Sequence, residues 1–197
     1  MPSAIAHRFS HELARQLLRQ LTRRGVEYAD IRCEHLLHES LVVEDGRVSS
    51  ISRSESAGVG IRVLLKGSWG FASTPHLALP SLRRAASQAV ELAKAAALLN
   101  RQPRRLAPVE PVKARHVSRC GIDPFNVPLA KKLDYLLWAN QELLGPNAIR
   151  HARSHMDFFR RLKRFDSTEG AQIEQRFIES GAGLEVVAQR GGEVHTR

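Results

Sequence analysis

The sequence lacks any long hydrophobic run and contains little cysteine. No apolar stretch among its 197 residues approaches the roughly 20 residues that a membrane-spanning helix needs, so we expect no membrane span. The N-terminus has no apolar segment followed by a small-residue cleavage site, which argues against a signal peptide. Its two cysteines, Cys33 and Cys120, are too few for the disulfide framework of a small secreted domain.

The sequence also lacks the motifs of nucleotide binding and of nucleophilic catalysis. It has no phosphate loop and no Gly-x-Ser-x-Gly elbow. The pair Gly58-x-Gly60 lies inside a predicted strand, whereas a dinucleotide fingerprint needs its glycines between a strand and a helix. We therefore expect no nucleotide cofactor.

Positive charge is in excess, with a formal net charge of +10. Such a charge is compatible with nucleic acid as a partner. The arginines, however, are spread over the whole chain, and no nucleic-acid-binding motif accompanies them. Only residues 158–161, Phe-Phe-Arg-Arg, place aromatic and basic residues together. We favour a solvated basic surface over a nucleic-acid site.

The stretch from Ala29 to Ser73 carries the strongest structural signal. Asp45-Gly46 and Lys66-Gly67 each lie between apolar runs. This pattern is typical of two-residue hairpin turns, whose central residues need positive φ. We predict two consecutive hairpins, which form a meander of about four strands.

The second hairpin predicts a face that a helix can approach closely. A two-residue turn at Lys66-Gly67 places Val63 opposite Gly70 and Ile61 opposite Ala72. Because the opposing residues are small, a helix can lie near this face. The helix predicted to begin near Pro80 has an alanine-rich side and is our candidate for this cover.

The other face of the same hairpin holds the candidate contact residues Gly58, Gly60, Trp69 and Phe71. The simpler interpretation is that both aromatic side chains belong to the core. The alternative is a contact site for a peptide or a partner, since glycine inside a strand often marks the close approach of another backbone.

Capping signals define three helices. Ser10 and Gly25 bound the first, Pro80 opens the second, and Pro128 and Gly145 bound the third. The first helix is expected to turn His11 and its arginines to solvent. Residues 1–8 are expected to form a frayed start.

We predict an α+β fold with an antiparallel meander sheet packed by helices, in two loosely repeated helix–strands–helix lobes. Residues 1–100 form the N-terminal lobe, 101–126 a Pro/Arg-rich, exposed connection, and 127–197 a second, incomplete lobe. The last predicted strands reach Arg197, which suggests that the second lobe is truncated.

Four motifs occur in order: ADIR, V-x-DGRV, GVGIRV and G-x-WGFAS, with STEG further along the chain. They resemble the N-terminal domain of the TldD/PmbA family, zinc metallopeptidases that are also described as modulators of DNA gyrase. The resemblance implies a cytoplasmic role in proteolysis and peptide maturation. It also implies a homo- or heterodimer with a TldD/PmbA-type subunit, in which this domain encloses a peptide or unfolded protein substrate or holds the partners together.

The zinc motif of the family, H-E-x-x-x-H, is missing from this chain. His11-Glu12 is followed at position 16 by Gln16, and His38-Glu39 is followed at position 43 by Val43. The family's catalytic and metal residues therefore have no positions here. Zinc is expected only in the C-terminal half of the family, and this chain is expected to be inactive alone.

The other histidine pairs do not predict a metal centre either, because a zinc site needs three or four converging ligands. These pairs are His7 with His11, His35 with His38, and His151 with His155. We interpret the chain as a substrate-enclosing or dimerisation domain without its own active site. The alternatives are a basic nucleic-acid-binding or regulatory module, and a remnant of a truncated peptidase gene.

Overall fold

The computed structural model describes residues 9–197, so the predicted frayed start at 1–8, with His7, lies outside the described residues. The helices are α1 (His11–Thr22), α2 (Leu79–Leu99) and α3 (Leu129–Leu144), with a 3₁₀ turn at Pro124–Asn126. The strands are β1 (Tyr28–Glu44), β2 (Arg47–Leu65), β3 (Ser68–Thr74), β4 (Lys113–Val117), β5 (Ile149–Ser167), β6 (Gln172–Arg190) and β7 (Glu193–Thr196). None of these helices is both long and apolar enough to cross a membrane.

The strands hydrogen-bond in the order β3-β2-β1-β5-β6-β4, and β7 pairs with β6. The predicted α+β class with an antiparallel sheet is confirmed, although β4 pairs with β6 in parallel. The expected number of about four strands in the first meander is wrong. The structure has three, because β2 continues through Gly58 and Gly60, neither of which adopts a positive φ.

The chain divides into two compact units, each built from three separate segments. Unit 1 contains the residues up to Leu36, Ser56–Val117 and Arg161–Arg176. Unit 2 contains Leu37–Glu55, Ser118–Arg160 and Phe177–Arg197. The sequence-based division into 1–100, 101–126 and 127–197 follows chain order instead and stays a prediction.

Helix α1 of unit 1 begins and ends where the capping signals place it. The Ser10 hydroxyl accepts a hydrogen bond from the Leu13 N–H at 3.2 Å, and Gly25 has a φ of +77° beyond the helix end. The prediction that His11 points to solvent is wrong, because its side chain is only partly exposed. Its Nδ1 lies 2.8 Å from Oδ1 of the buried Asp166. Burial raises the pKa of Asp166, while the contact with His11 opposes that rise.

Both predicted hairpin turns are present. Asp45 and Gly46 have φ values of 48° and 77°, and Lys66 and Gly67 have 50° and 67°. Positive φ at both central residues is the requirement of a type I′ turn. The predicted register of the second hairpin is also confirmed, since Val63 faces Gly70 and Ile61 faces Ala72.

Helix α2 packs directly on the small residues of β3. A Cβ atom added to Gly70 would lie 2.0 Å from the Ala89 carbonyl oxygen and 2.5 Å from the Ala93 nitrogen. The side chains of Ile61 and Val63 are fully buried in the same cluster as the alanines of α2. The predicted cover of this face is therefore confirmed.

The connection after α2 lies against the second hairpin of unit 1. The Asn100 side chain donates to the Gly67 carbonyl at 3.0 Å, and the Arg104 N–H donates to the same carbonyl at 2.8 Å. A Cβ at Gly67 would lie 2.5 Å from Pro103, so glycine is needed there for space as well as for its φ. The rest of the connection contains β4 and the 3₁₀ turn.

Helix α3 covers a separate core in unit 2, made of Leu41, Val43, Leu136 and Phe158. The fully buried Asn140 amide ties this helix to the strands. Its nitrogen donates to the carbonyls of Val43 at 3.3 Å and of Ala152 at 3.0 Å. Its oxygen accepts from the N–H of the Gly46 turn at 2.7 Å.

Unit 2 also contains a buried ion pair between Lys132 and Glu39. The two residues are 5% and 7% exposed, and the Lys132 ammonium lies 4.6 Å from the centroid of the Phe158 ring. Arg53 approaches the same carboxylate less closely, with its Nη1 atom 4.0 Å from Glu39 Oε2. Each charge of the pair therefore depends on the other for compensation.

Replacing Gly70 by alanine should destabilise the protein strongly, because the new methyl group would overlap the backbone of α2. We expect a loss of about 3 kcal/mol or more in the free energy of unfolding, measured by chemical denaturation. Gly58→Ala is the matched control, since its Cβ would meet only the Thr74 carbonyl oxygen at 3.6 Å. Equal effects from the two substitutions would contradict the close packing of α2 on β3.

Replacing Lys132 by methionine should leave the Glu39 carboxylate buried without its main partner. We expect a loss of about 3–5 kcal/mol in the free energy of unfolding. The double substitution Lys132→Met with Glu39→Leu should recover most of that loss, because it removes both buried charges. Additive losses in this double-mutant cycle would show that the two charges do not interact.

Candidate functional site

The candidate contact residues lie on the face of the β2–β3 hairpin that points away from α2. Side chains alternate across a strand, so Gly70 and Ala72 face the helix while Trp69 and Phe71 face the other way. Arg62 is the cross-strand partner of Phe71, and β3 is the terminal strand in the hydrogen-bonded order. The site therefore combines an aromatic face with a sheet edge.

A buried carboxylate, Asp30 of β1, organises this face. Asp30 is 1% exposed and accepts hydrogen bonds from the Arg32 Nε at 3.1 Å and the Arg62 Nε at 2.8 Å. The Arg62 Nη2 atom also lies 2.6 Å from Asp30. Burial by itself would lower the pKa of Arg62, but the hydrogen bond and charge of Asp30 outweigh it and raise that pKa. Arg62 is therefore held both charged and fixed in position.

Arg62 and Tyr28 hold the Trp69 ring between them. The Arg62 guanidinium carbon lies 4.5 Å from the centroid of the Trp69 ring, within the range of a cation–π contact. The Tyr28 ring meets Trp69 edge to face, with centroids 5.9 Å apart and an angle of 84°. Burial, with the nearby charge of Asp30, raises the pKa of Tyr28 to about 12. Trp69 is thus half-buried, and contacts with Arg62 and Tyr28 hold its ring in place.

Phe71 is not a core residue, which corrects the simpler of our two interpretations. It is 58% exposed. Its ring lies over Gly60, where an added Cβ would be 3.0 Å from the ring carbon Cε2. Gly60 therefore makes room for an aromatic ring rather than for another backbone, and Gly58 has only an ordinary contact with the Thr74 carbonyl. The surface at Phe71 is apolar and accessible.

The backbone of β3 has an unpaired side, which we call the open edge. In a hairpin closed by the Leu65–Ser68 pair, alternate residues point their N–H and C=O groups outward. These residues are Trp69, Phe71 and Ser73. Within residues 9–197, no strand and no backbone hydrogen bond satisfies these outward groups. The open edge can therefore accept an additional strand.

The residues described here do not fit a zinc ion. No group of three or more His, Cys, Asp or Glu side chains within residues 9–197 is arranged to hold a metal. The histidines of the two incomplete zinc motifs, His11 and His38, each contact an aspartate instead. His11 contacts Asp166, and His38 contacts Asp157 at 2.8 Å while its ring stacks on Phe159.

Asp30, Arg62 and Tyr28 were missed by the sequence analysis. Asp30 and Arg62 lie in the ADIR and GVGIRV motifs, where a charged residue alternates with buried apolar ones. That alternation shows that both side chains lie on the face opposite the apolar core. It does not show that they meet, because the pairing of β1 with β2 brings them together.

The family-scale comparison supports the motif resemblance. Residues 29–93 match the model described as PmbA/TldA metallopeptidase domain 1, a range that includes β3 and all the candidate contact residues. Over these residues the chain is similar to the N-terminal domain of the TldD/PmbA family. A protein of Methanothermobacter thermautotrophicus named as a metalloprotease is 28% identical over 86% of this chain. The chain spans 36% of that relative.

Solved structures of family proteins share the fold. A Bacteroides thetaiotaomicron protein named as a proposed modulator of DNA gyrase has a TM-score of 0.78 and 13% identity, over 94% of this chain and 43% of its own. TldE from Thermococcus kodakarensis has a TM-score of 0.74 and 18% identity, over 92% of this chain and 40% of its own. At these identities the likeness concerns the fold alone.

Phe71→Ala should change the free energy of unfolding by less than about 1 kcal/mol, since the side chain is mostly exposed. Leu64→Ala, on the same face of the hairpin and 2% exposed, should cost about 2–5 kcal/mol. Chemical denaturation of both variants provides the comparison. Similar losses for the two would mean that Phe71 is packed like a core residue and does not present a binding surface.

Proposed function

We propose that this domain binds extended peptide or unfolded protein segments by strand addition at the open edge of β3. It would present them to a TldD/PmbA-type metallopeptidase active site whose zinc chemistry lies outside the residues described here. The observation that carries this proposal is the row of outward backbone groups at Trp69, Phe71 and Ser73 beside an exposed aromatic ring. This chain on its own is then a binding domain rather than an enzyme.

Strand addition suits a substrate of variable sequence. Backbone hydrogen bonds supply affinity without reading side chains. In the added strand, alternate side chains would lie on the face of Phe71 and Trp69, where apolar groups gain contact area. Arg62, held by the buried Asp30, positions Trp69 in advance, so less conformational entropy is lost when a peptide binds.

The proposal includes the setting that the family implies. The domain would act in a homo- or heterodimer with a TldD/PmbA-type subunit in the cytoplasm, in proteolysis or peptide maturation. Two observations support this setting. A relative that is similar over 86% of this chain is named as a metalloprotease, and Cys33 and Cys120 are free thiols, as is usual in a reducing compartment.

Nucleic acid binding is a second candidate because of the +10 net charge. Several arginines, however, are paired within the protein, including Arg62 with Asp30, Arg153 with Glu44 and Arg160 with Asp123. Binding to duplex DNA should fall steeply between low and physiological salt if this function is correct. Strand addition of an uncharged peptide should depend little on salt.

Ser73→Pro is the sharpest test of strand addition. Ser73 points its N–H outward, so proline removes one donor of the open edge without breaking a hydrogen bond to β2. An uncharged, fluorescently labelled peptide of about ten alternating valine and serine residues is a suitable probe. We expect its affinity to fall about threefold to tenfold, the effect of one lost hydrogen bond, as measured by fluorescence anisotropy.

Ser73→Ala is the matched control, because it retains the N–H and should leave the affinity unchanged. The same peptide with N-methyl groups at every residue should bind far more weakly, since it lacks backbone donors on both edges. If the wild-type protein binds the N-methylated peptide as well as the unmodified one, the strand-addition proposal is wrong.

A further inference from the structure

A second charged cluster lies at the other end of the strand order, where β4 pairs with β6. Arg115 and Glu174 are partners across this parallel pair, and Arg176 lies two residues beyond Glu174 on the same face. Arg164 of β5 reaches the same carboxylate. All four residues belong to unit 1, and none lies on the open edge of β3.

Glu174 binds all three guanidinium groups. Its Oε1 atom accepts from the Arg176 Nε at 2.9 Å and from the Arg115 Nε at 3.4 Å. Its Oε2 atom accepts from the Arg164 Nε at 3.0 Å. The Glu174 side chain is only 12% exposed. Although burial alone would raise the pKa of Glu174, the hydrogen bond from Arg164 and the charges of Arg176 and Arg164 hold that pKa below its usual range.

The Glu174 carboxylate accepts hydrogen bonds from only some of the N–H donors of Arg115 and Arg176. Arg115 and Arg176 bond to Glu174 through Nε, and within residues 9–197 no hydrogen bond or ion pair occupies their terminal Nη atoms. Their side chains are 64% and 43% exposed. Because the Nε atoms are anchored, the Nη forks are held in place with free donors. Such forks match the oxygens of phosphate and carboxylate groups.

We propose that Arg115 and Arg176, positioned by Glu174, form a binding site for a phosphoryl group. The geometry of the two forks favours a phosphoryl group over a carboxylate. Each guanidinium fork can bond two oxygens, and a phosphate offers oxygens to both forks, whereas the two oxygens of a carboxylate are filled by one. The site is independent of the peptide-binding edge proposed above.

Inorganic phosphate is the probe for this site, with acetate as the comparison, both at constant ionic strength. Side-chain Nε–H signals of the ¹⁵N-labelled full chain should report binding. We expect saturable shifts at Arg115 and Arg176, with phosphate bound at least about tenfold more tightly than acetate. Equal affinity for the two anions, or no saturation with phosphate, would overturn the proposal.

Arg176→Gln should weaken phosphate binding about tenfold, the effect expected from removing one charge-assisted contact. Arg119→Gln is the matched control, because it removes the same charge from an exposed position outside the cluster. Its affinity for phosphate should stay close to that of the wild type. If both variants weaken binding equally, only the overall positive charge of the protein attracts the anion.

The substitution Glu174→Gln distinguishes phosphate binding at positioned guanidinium groups from attraction of phosphate by the overall positive charge. The substitution makes the protein more positive by one charge, so general electrostatic attraction should strengthen phosphate binding. If Glu174 positions the forks, the same substitution should weaken binding instead. Tighter binding to Glu174→Gln would contradict the positioning role, and the Arg176→Gln comparison still tests the site if this variant folds poorly.

Discussion

The contact between Gly70 of β3 and the backbone of α2 is the constraint on which the rest of unit 1 depends. With only a hydrogen atom at this position, the helix lies close enough for its alanines to bury Ile61 and Val63. Because side chains alternate along a strand, the residues between these must lie on the opposite face. Arg62, Trp69 and Phe71 are placed there, away from the apolar core.

That opposite face contains a buried charge, which requires partners. Asp30 would be costly to bury alone, and the two arginines that bind it supply the compensation. Arg62 then has a fixed position from which it supports Trp69. The ion pairs of Asp30 thus place Arg62 beside Trp69 on this face, next to the open edge.

We propose two chemically different binding surfaces in unit 1. The open edge of β3 offers backbone donors and acceptors, which recognise a chain without regard to its sequence. The cluster around Glu174 offers positive charge in a fixed geometry, which recognises an oxyanion. Within residues 9–197, neither surface contains a group of three or more side chains arranged to hold a metal.

Local signals in the sequence were sufficient for the turns, the helix ends and one strand register. Glycine after Asp45 and after Lys66 permits positive φ, and Ser10 can cap a helix, because both effects act within a few residues. The small residues opposite Ile61 and Val63 also predicted where a helix would pack. The exposure of Phe71 and the continuity of β2 were not predictable in this way, since alternation is the same for a covered face and an open one.

By itself, the sequence indicated a resemblance to the TldD/PmbA family, and it determined the α+β class and the type I′ hairpin that aligns Arg62 with Phe71. Only the tertiary structure decided which charges meet. Strand pairings between distant parts of the chain bring Asp30 into contact with Arg62. Other strand pairings bring Glu174 into contact with Arg115 and Arg164. Periodicity assigns a residue to a face of its own strand, but the neighbour on that face depends on which strands pair and in what register.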